Sequence, residues 1–403
     1  MGTAKRRMKQ HVLPQVRESV EEGTYVACTF DYEKSLPDGR PGRKAWTDIF
    51  RRAIPQFEKR VRIQLEEEAG SEEEEKMAES IASSFAREYG ELLDKLEEDP
   101  SRDLPGFEAA CARGRGGAAG LSCKALCALR EACLTKRGLR DAFKHVKRKE
   151  NLESLLILDQ LAAEIDAVPG TARDRMELAL KNCFAGNLFD LGAHFSSEKY
   201  EKGKTKKGDP LQAFRETREA LPERPWKIDC LDEAVLQLSA RGKFKKAIVF
   251  ADNAGSDLIC GILVFVRELL KAGTTVVVAA NEKPAINDIT ADELVALFTK
   301  LGKGAPRVRD QVLCSHCESG NLRVVSSGSD LPIIDLSELS ASVVAEAEDA
   351  DLIVLQGMGR AIESNLNATF STAVLKMGVV KHPEVALCLG GKLGEPICKL
   401  EPK

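Results

Sequence analysis

The sequence lacks a long hydrophobic run. No apolar stretch approaches the roughly 18 residues that a membrane helix needs. The basic start, MGTAKRRMKQ, is not followed by the apolar segment of a secretory signal. Position 6 is Arg6, where a myristoylation signal requires Ser or Thr. We therefore expect a cytoplasmic protein with no membrane partner, whose 12 cysteines stay as thiols in a reducing compartment.

The sequence also has little excess charge of either sign. Its 403 residues include 59 Lys and Arg and 63 Asp and Glu, which gives a net charge of −4. A general nucleic-acid binder usually shows a basic balance or a basic stripe. The basic run at 202–207 has no interleaved aromatic residue, so we interpret it as a solvated loop and expect no nucleic-acid partner.

The two parts of the chain follow different patterns. From residue 50 to about 240, apolar residues recur at three- and four-residue spacing, which predicts helices. From about 245, short apolar runs alternate with helical segments. The predicted strands are AIVFA (247–251), TTVVVAA (274–280), LRVVS (322–326), DLIVL (351–355) and EVALCL (384–389). We predict an α/β fold class, with helices on both faces of a Rossmann-like, mainly parallel sheet, preceded by an all-helical domain. The α/β catalytic domain, which binds metal and phosphate, is expected at 241–403. A mostly helical region at 1–240, with two subdomains as an alternative to one, is expected to contribute to the cleft.

Two helices of the second part carry boundary signals. The apolar segment 257–271 predicts a helix, and Gly273 is its expected stop. In TADE (290–293), Thr290 and Glu293 form the pattern of a capping box at the start of the next helix.

Small, polar or charged residues follow every predicted strand. The ends carry Asp252-Asn253, Asn281 with a loop to Asp288, Ser326 with 327–329, Gln356 with GMGR (357–360), and Gly390-Gly391-Lys392. In an open parallel sheet, ligands bind beyond the carboxyl ends of the strands. The pattern therefore predicts a polar cleft along one rim of the sheet.

The residue types at this rim suit a metal ion and a phosphate group. Asp252, Asn253 and Asp288 offer two carboxylates and one amide oxygen, which are ligands for a hard cation such as Mg²⁺ or Mn²⁺. The turns at Gly357 and Gly359 would expose backbone N–H groups to an anion. Arg360 could make a forked contact with phosphate. Each of these features also occurs in ordinary turns and helix caps, and their shared location favours a site.

Other phosphate and nucleotide motifs are missing. No GxGxxG or GxxxxGK[ST] loop follows the first predicted strand, which argues against a nicotinamide enzyme and a P-loop NTPase. There is no DxDxT run of the haloacid dehalogenase type. Cys314-Ser315-His316-Cys317 has the spacing of half a zinc site, but no second half matches it.

Several segments resemble one known family. IVFADNAGSD (248–257) and the residues that follow it are similar to the core of the metal-dependent damage-control phosphatases. GMGR (357–360) resembles the Glu-Gly-Met-Gly-Arg motif of the subfamily that contains stand-alone plant members and the phosphatase domain of the fourth pantothenate kinase. AGNLFDLGA (185–193) and RPWKIDCLDE (224–233) are also similar. The resemblance covers most of the chain from about residue 24.

The resemblance implies an activity and site residues. It implies hydrolysis of small phosphate monoesters, with 4′-phosphopantetheine or its oxidised, damaged forms as the leading substrate and sugar phosphates as competitors. Asp252, Asn253 and Asp288 match the family's ligands for a divalent ion, with Mg²⁺, Mn²⁺, Co²⁺ and Ni²⁺ all open. Arg360 lies in the motif, and Asp252 or Asp288 would accept the proton of the attacking water. Lys376 corresponds to a basic position near the phosphate, and Asn187 and Asp190 match a motif that reaches the cleft. Independently of the resemblance, we expect Ser326, Gly357 and Gly359 at the strand ends to bind the substrate or its phosphate.

One motif position departs from the family. Gln356 stands where the subfamily has Glu, and an amide carries no charge and cannot act as a base. A non-catalytic metal-binding scaffold is therefore one alternative. A carboxyl methyltransferase is another, although Ala254-Gly255-Ser256 is a poor match to an adenosylmethionine loop. The sequence leaves the oligomeric state open, with a homodimer among the alternatives.

Overall fold

Helices form most of the first 240 residues, as the periodicity predicts. The computed structural model describes residues 11–102, 104–108, 110, 121–189, 209–299 and 307–403. In the described part of the first 240 residues the α-helices are α1 (Arg17–Glu21), α2 (Gly42–Glu68), α3 (Glu72–Glu98), α4 (Cys123–Lys136), α5 (Lys144–Asp166), α6 (Ala172–Phe189), α7 (Pro210–Glu219) and α8 (Leu231–Leu238).

The second part of the chain forms one twisted α/β unit around a sheet. Its strands are β1 (Lys246–Phe250), β2 (Thr275–Ala280), β3 (Leu322–Ser326), β4 (Leu352–Gln356), β5 (Ala373–Val379) and β6 (Pro396–Glu401). The spatial order is β3-β2-β1-β4-β5-β6. Strands β1 to β5 run parallel and β6 is antiparallel to β5. The predicted α/β class with a mainly parallel sheet is confirmed.

Helical segments connect these strands. They are a π-helical turn (Asp257–Ile262) that continues as α9 (Leu263–Lys271), then α10 (Ala291–Phe298), α11 (Gln311–Glu318), α12 (Ala341–Ala347), a second π-helical turn (Met358–Glu363) and α13 (Pro383–Leu389). Gly273 follows α9 with φ 91°, as expected of a helix stop. The capping box of α10 is confirmed, because the Glu293 N–H donates to Thr290 Oγ1 at 3.3 Å and the Thr290 N–H donates to Glu293 Oε2 at 2.9 Å.

One predicted strand is wrong. Residues 384–389 lie in helix α13, which begins at Pro383 and is followed by Gly390 with φ 64°. Proline at the first helical position and glycine just after the last one are the usual signals of helix ends, and they outweigh a six-residue apolar run. Gly390 therefore caps a helix and does not end a strand. The actual strands β5 and β6 contain Lys376 and Lys399, which interrupt their apolar runs.

The sheet separates two hydrophobic clusters. Ile248 and Phe250 of β1 face a cluster that includes residues of α2, α3 and α4, while Ala247 and Val249 face a cluster with residues of α5 and α6. Both clusters thus combine the helical region with the sheet, so the early helices cover the sheet and its rim. The domain boundary near residue 240 stays a prediction. Among the described helices, none has the length and apolar character needed to cross a membrane.

Candidate active site

The predicted acidic residues meet at the carboxyl ends of the central strands. Asp252 lies two residues beyond β1, and the backbones of Asn253 and Asp288 pair in an isolated bridge. The Ile289 N–H also donates to the Asp252 carbonyl at 3.1 Å. Strand β1 lies between β2 and β4, where successive connections leave in opposite directions, and such switch points are the usual ligand sites of open α/β sheets.

Arg360 joins the two carboxylates. Its Nη1 donates to Asp252 Oδ1, and its Nη2 donates to Asp288 Oδ2 at 2.7 Å and to Asn281 Oδ1 at 2.9 Å. The guanidinium is buried, and burial lowers its pKa, but the charges of Asp288 and Asp252 outweigh this effect and the pKa of Arg360 is raised. Asn281 follows a predicted strand, but the sequence pattern does not predict its contact with Arg360. It also donates to Asp288 Oδ2 at 3.0 Å.

A third carboxylate, that of Asp257, shares the partners Asn187 and Asn253 with Asp252 and was not predicted from the sequence. It is fully buried and accepts hydrogen bonds from three amide groups: Asn187 Nδ2 at 2.9 Å, Asn253 Nδ2 at 2.9 Å and Gln356 Nε2 at 2.5 Å. Because the Asn253 nitrogen faces Asp257, its amide oxygen faces away from this carboxylate. The sequence signal was weak, since an aspartate in a first helical turn is common.

Asn187 brings the helical region to the site. It lies on α6, donates to Asp252 Oδ2 at 3.3 Å and accepts from the Val379 N–H at 3.0 Å. The structure therefore places this predicted residue against the carboxylates. Its contact with substrate stays a prediction. Asp190, the other residue of that motif, lies outside the described residues.

Gly357 and Gly359 allow close backbone approach. Gly357 has φ 101° and ψ 156°, and a Cβ there would lie closer to the Asp252 carboxylate than the 3.0 Å that real Cβ atoms keep. A Cβ at Gly359 would collide in the same way with the Pro332 carbonyl. These glycines thus let the turn after β4 pass directly beside Asp252 and carry Arg360 into place.

Two predicted site residues have hydrogen-bond partners outside the carboxylate cluster. The Lys376 Nζ donates to the carbonyls of Leu366 at 3.2 Å and Ala368 at 2.6 Å and pairs with Glu401 at 2.6 Å. Lys376 is fully buried at the side of the sheet that β6 covers, so it is not brought to the carboxylates. Ser326 accepts a hydrogen bond from the Gly328 N–H at 3.1 Å, within its own turn.

A cleft of about 570 Å³ opens above Asp252 and Asn253. Helix α2 supplies Ile49, Phe50 and Phe57 to its wall, and helix α4 supplies Cys123 and Cys127. The other apolar residues of the wall include Phe143, Ile286, Ile333 and Met358. Its charged residues are Arg52, Arg130, Asp252, Glu363 and Lys381. Burial and the charge of Asp252 raise the pKa of Glu363 to about 7, against a lowering effect of Lys381. Glu363 and Lys381 were not predicted from the sequence as residues of the site.

The charge and donor types of this cluster fit one divalent cation. Asp252, Asp257, Asp288 and Arg360 are all buried and carry three negative charges against one positive charge when ionised. Buried charges are costly unless they are paired or bind a metal ion. The excess equals the charge of one divalent ion, and Asp252, Asp288 and the Asn253 amide oxygen are donors that hard cations prefer.

Fold and site together define an α/β protein whose sheet rim carries a buried cluster of acidic residues that fits a divalent cation. Residues 43–397 match the family described as the damage-control phosphatase ARMT1-like domain. A damage-control phosphatase of Arabidopsis thaliana is 37% identical over 382 residues, which cover 94% of each chain. The chain belongs to the damage-control phosphatase ARMT1-like family, and it is a phosphatase.

Two further comparisons extend this result. A 4′-phosphopantetheine phosphatase of Mus musculus is 30% identical over 432 residues, which cover 95% of this chain and 48% of the mouse protein. The chain thus spans about half of that relative. A crystal structure of a DUF89 family protein from Pyrococcus horikoshii matches 86% of this chain with a TM-score of 0.53 at 17% identity, which supports the fold.

Proposed function

We propose that this phosphatase uses a divalent metal ion to hydrolyse 4′-phosphopantetheine or its oxidised forms. The observation that carries the proposal is the buried Asp252–Asn253–Asp288 cluster, which opens into a cleft with mainly apolar walls. The name of the mouse relative supports the substrate, and the family supports the reaction class. Mg²⁺, Mn²⁺, Co²⁺ and Ni²⁺ remain the candidate ions.

Different residues of the cluster would bind the metal ion and stabilise the phosphoryl group. Asp252, Asp288 and the Asn253 amide oxygen would hold the ion, which when bound supplies Lewis-acid charge for the phosphoryl oxygens. Arg360, already positioned by both carboxylates, adds a fixed positive charge next to the ion site. Such preorganised charge stabilises negative charge that builds up during phosphoryl transfer. The Gly357 N–H does not add to this preorganised charge, because it donates to the Met377 carbonyl at 2.9 Å.

The position of Gln356 argues against a loss of activity. Gln356 donates a hydrogen bond to Asp257 and not to Asp252 or Asp288. The position where the motif has a Glu carboxylate is therefore separated from the proposed metal ligands by Asp257. An amide donor holds Asp257 without adding a fourth buried negative charge. We therefore expect the wild-type chain to be active despite its altered motif.

The cleft walls favour pantetheine over a sugar. Apolar side chains from α2 and α4 lie within the same cavity as Asp252. A sugar presents hydroxyl groups on every side, and burying them against such walls without partners costs free energy. The branched and methylene segments of a pantetheine chain gain by burial of roughly 0.8 kcal/mol per CH₂ group.

Phosphate release tests the proposal. We expect release from 4′-phosphopantetheine with one or more of the four ions and none with EDTA, and slower release from sugar phosphates. A wild-type chain that releases no phosphate from any monoester with any of these ions would contradict the proposal. Faster release from sugar phosphates would contradict the substrate but not the reaction. An Asn253→Asp variant, matched in size, tests whether the ion needs the amide.

A further inference from the structure

A buried carboxyl group in the cleft has no role so far. Glu363 is the last residue of the π-helical turn that carries Gly359 and Arg360, and it lines the cleft together with Asp252. The residue is only 8% exposed. Within the described part of the chain, no hydrogen bond or salt bridge holds its carboxyl group. A buried carboxyl group that faces a ligand cavity without a structural partner is a candidate for chemistry.

We propose that Glu363 is the general acid that protonates the leaving alcohol of the substrate. This inference rests on the proposed phosphatase function and assigns the proton donor of the same site. A phosphate ester of an alcohol has a poor leaving group, because an alkoxide is strongly basic, so its departure gains from a proton delivered by the protein.

The proton balance of the step is simple. The oxygen of a water molecule forms a new bond to phosphorus while the bond between phosphorus and the alcohol oxygen breaks. The leaving oxygen takes the proton of the Glu363 carboxyl group. The water loses one proton, which Asp252 or Asp288 accepts and then releases to solvent. The Glu363 carboxylate regains one proton from solvent, so that alcohol and inorganic phosphate are the only products.

The surroundings of Glu363 leave a substantial fraction of its carboxyl group protonated near neutral pH. Burial, followed by the charge of Asp252, raises its pKa to about 7, and Lys381 acts in the opposite direction. The titratable groups that interact with it from the elements packed around it are Asp252, Lys381, Cys28, Cys123 and Tyr32. Burial raises the pKa of Cys28 and of Tyr32, and the Cys127 thiol is the main cause of the raised pKa of Cys123. These three groups are thus neutral where Glu363 titrates.

Leaving-group dependence separates an acid from a structural residue. Phosphate release would be measured for Glu363→Gln on 4′-phosphopantetheine, an alkyl ester, and on p-nitrophenyl phosphate, whose leaving group needs no proton. We expect kcat for the alkyl ester to fall by roughly 100-fold or more, and the alkyl-to-aryl ratio of kcat to fall by a similar factor. Glu268→Gln is the matched control, because Glu268 is about equally buried, 5% exposed, but lies on α9 outside the cleft.

The outcomes distinguish this inference from the proposed function. Equal losses on both esters would overturn the role of Glu363 as an acid while leaving the phosphatase proposal intact. No hydrolysis of either ester by the wild type would instead contradict the phosphatase proposal. Urea unfolding and Mn²⁺ binding of Glu363→Gln check that fold and ion site are intact. A variant that folds, binds Mn²⁺ and keeps the wild-type alkyl-to-aryl ratio refutes the inference.

Discussion

Replacing Gly357 by alanine tests how the turn after β4 builds the ion site. The backbone at Gly357, with φ 101° and ψ 156°, lies in a region that only glycine adopts readily. Forcing another residue into it costs about 1–3 kcal/mol of folding free energy. The added Cβ would also press on the Asp252 carboxylate, so that either this side chain or the turn must move. We expect Mn²⁺ affinity to fall by roughly 10- to 100-fold, as when the groups that orient a ligand are lost.

Gly273→Ala is the matched control for this substitution. Gly273 also has a positive φ, 91°, but no atom lies within 4 Å of a Cβ built there. It should therefore lose stability, by about 1–2 kcal/mol, and keep its Mn²⁺ affinity. Urea unfolding with chelator present measures the first quantity and electron paramagnetic resonance of Mn²⁺ the second. A Gly357→Ala protein with the dissociation constant of the wild type would refute the reasoning.

Three further substitutions test other parts of the structure. Lys376→Met should lower the free energy of unfolding by about 1–3 kcal/mol in urea, because buried acceptors lose their donor, while kcat stays within about threefold. Gln356→Glu would put a carboxyl group 2.5 Å from Asp257, and since both cannot ionise, their pKa values rise and unfolding free energy should fall from pH 5 to pH 8. Glu363 has a raised folded-state pKa of about 7, so its ionisation costs stability as pH rises above about 4.5. Glu363→Gln should therefore gain up to about 3 kcal/mol at pH 8 and nothing below pH 4.5, measured by urea unfolding with chelator. A Gln356→Glu protein whose unfolding free energy does not fall between pH 5 and pH 8 would contradict the second prediction. A Glu363→Gln protein whose unfolding free energy differs from that of the wild type by the same amount at pH 4.5 and pH 8 would contradict the third.

Strands β1, β2 and β4 were predictable because they are buried on both faces, and the partly exposed edge strand β3 was predictable from its short apolar run. Strand β1 reads KAIVF, and in a sheet covered by helices both sets of alternating side chains must be apolar. The same reasoning predicts the position of the site, since Asp252 and Arg360 follow shortly after the central strands β1 and β4. Strands β5 and β6, at one end of the sheet, were harder to predict. Lys376 interrupts β5, and its charge is tolerated there because β6 supplies Glu401 as a partner from 25 residues along the chain.

The deeper parts of the site were not predictable from local pattern. Asp257 looks like an ordinary first-turn aspartate, and only the fold brings Asn187, Asn253 and Gln356 around it. Glu363 becomes unusual through burial in a cleft whose wall comes from α2 and α4, more than 220 residues earlier in the chain. Such roles depend on long-range packing, which short motifs do not encode.

Direct titration with Mn²⁺ tests the central claim, that Asp252, Asn253 and Asp288 hold a catalytic divalent ion. Chelator-treated wild-type protein should bind one Mn²⁺ ion per protein chain, and its phosphatase activity should return in proportion to the bound ion. Asp288→Asn, which keeps the shape of the side chain, should lose both binding and recovery of activity. An Asp288→Asn protein that binds Mn²⁺ and regains full turnover would contradict the account.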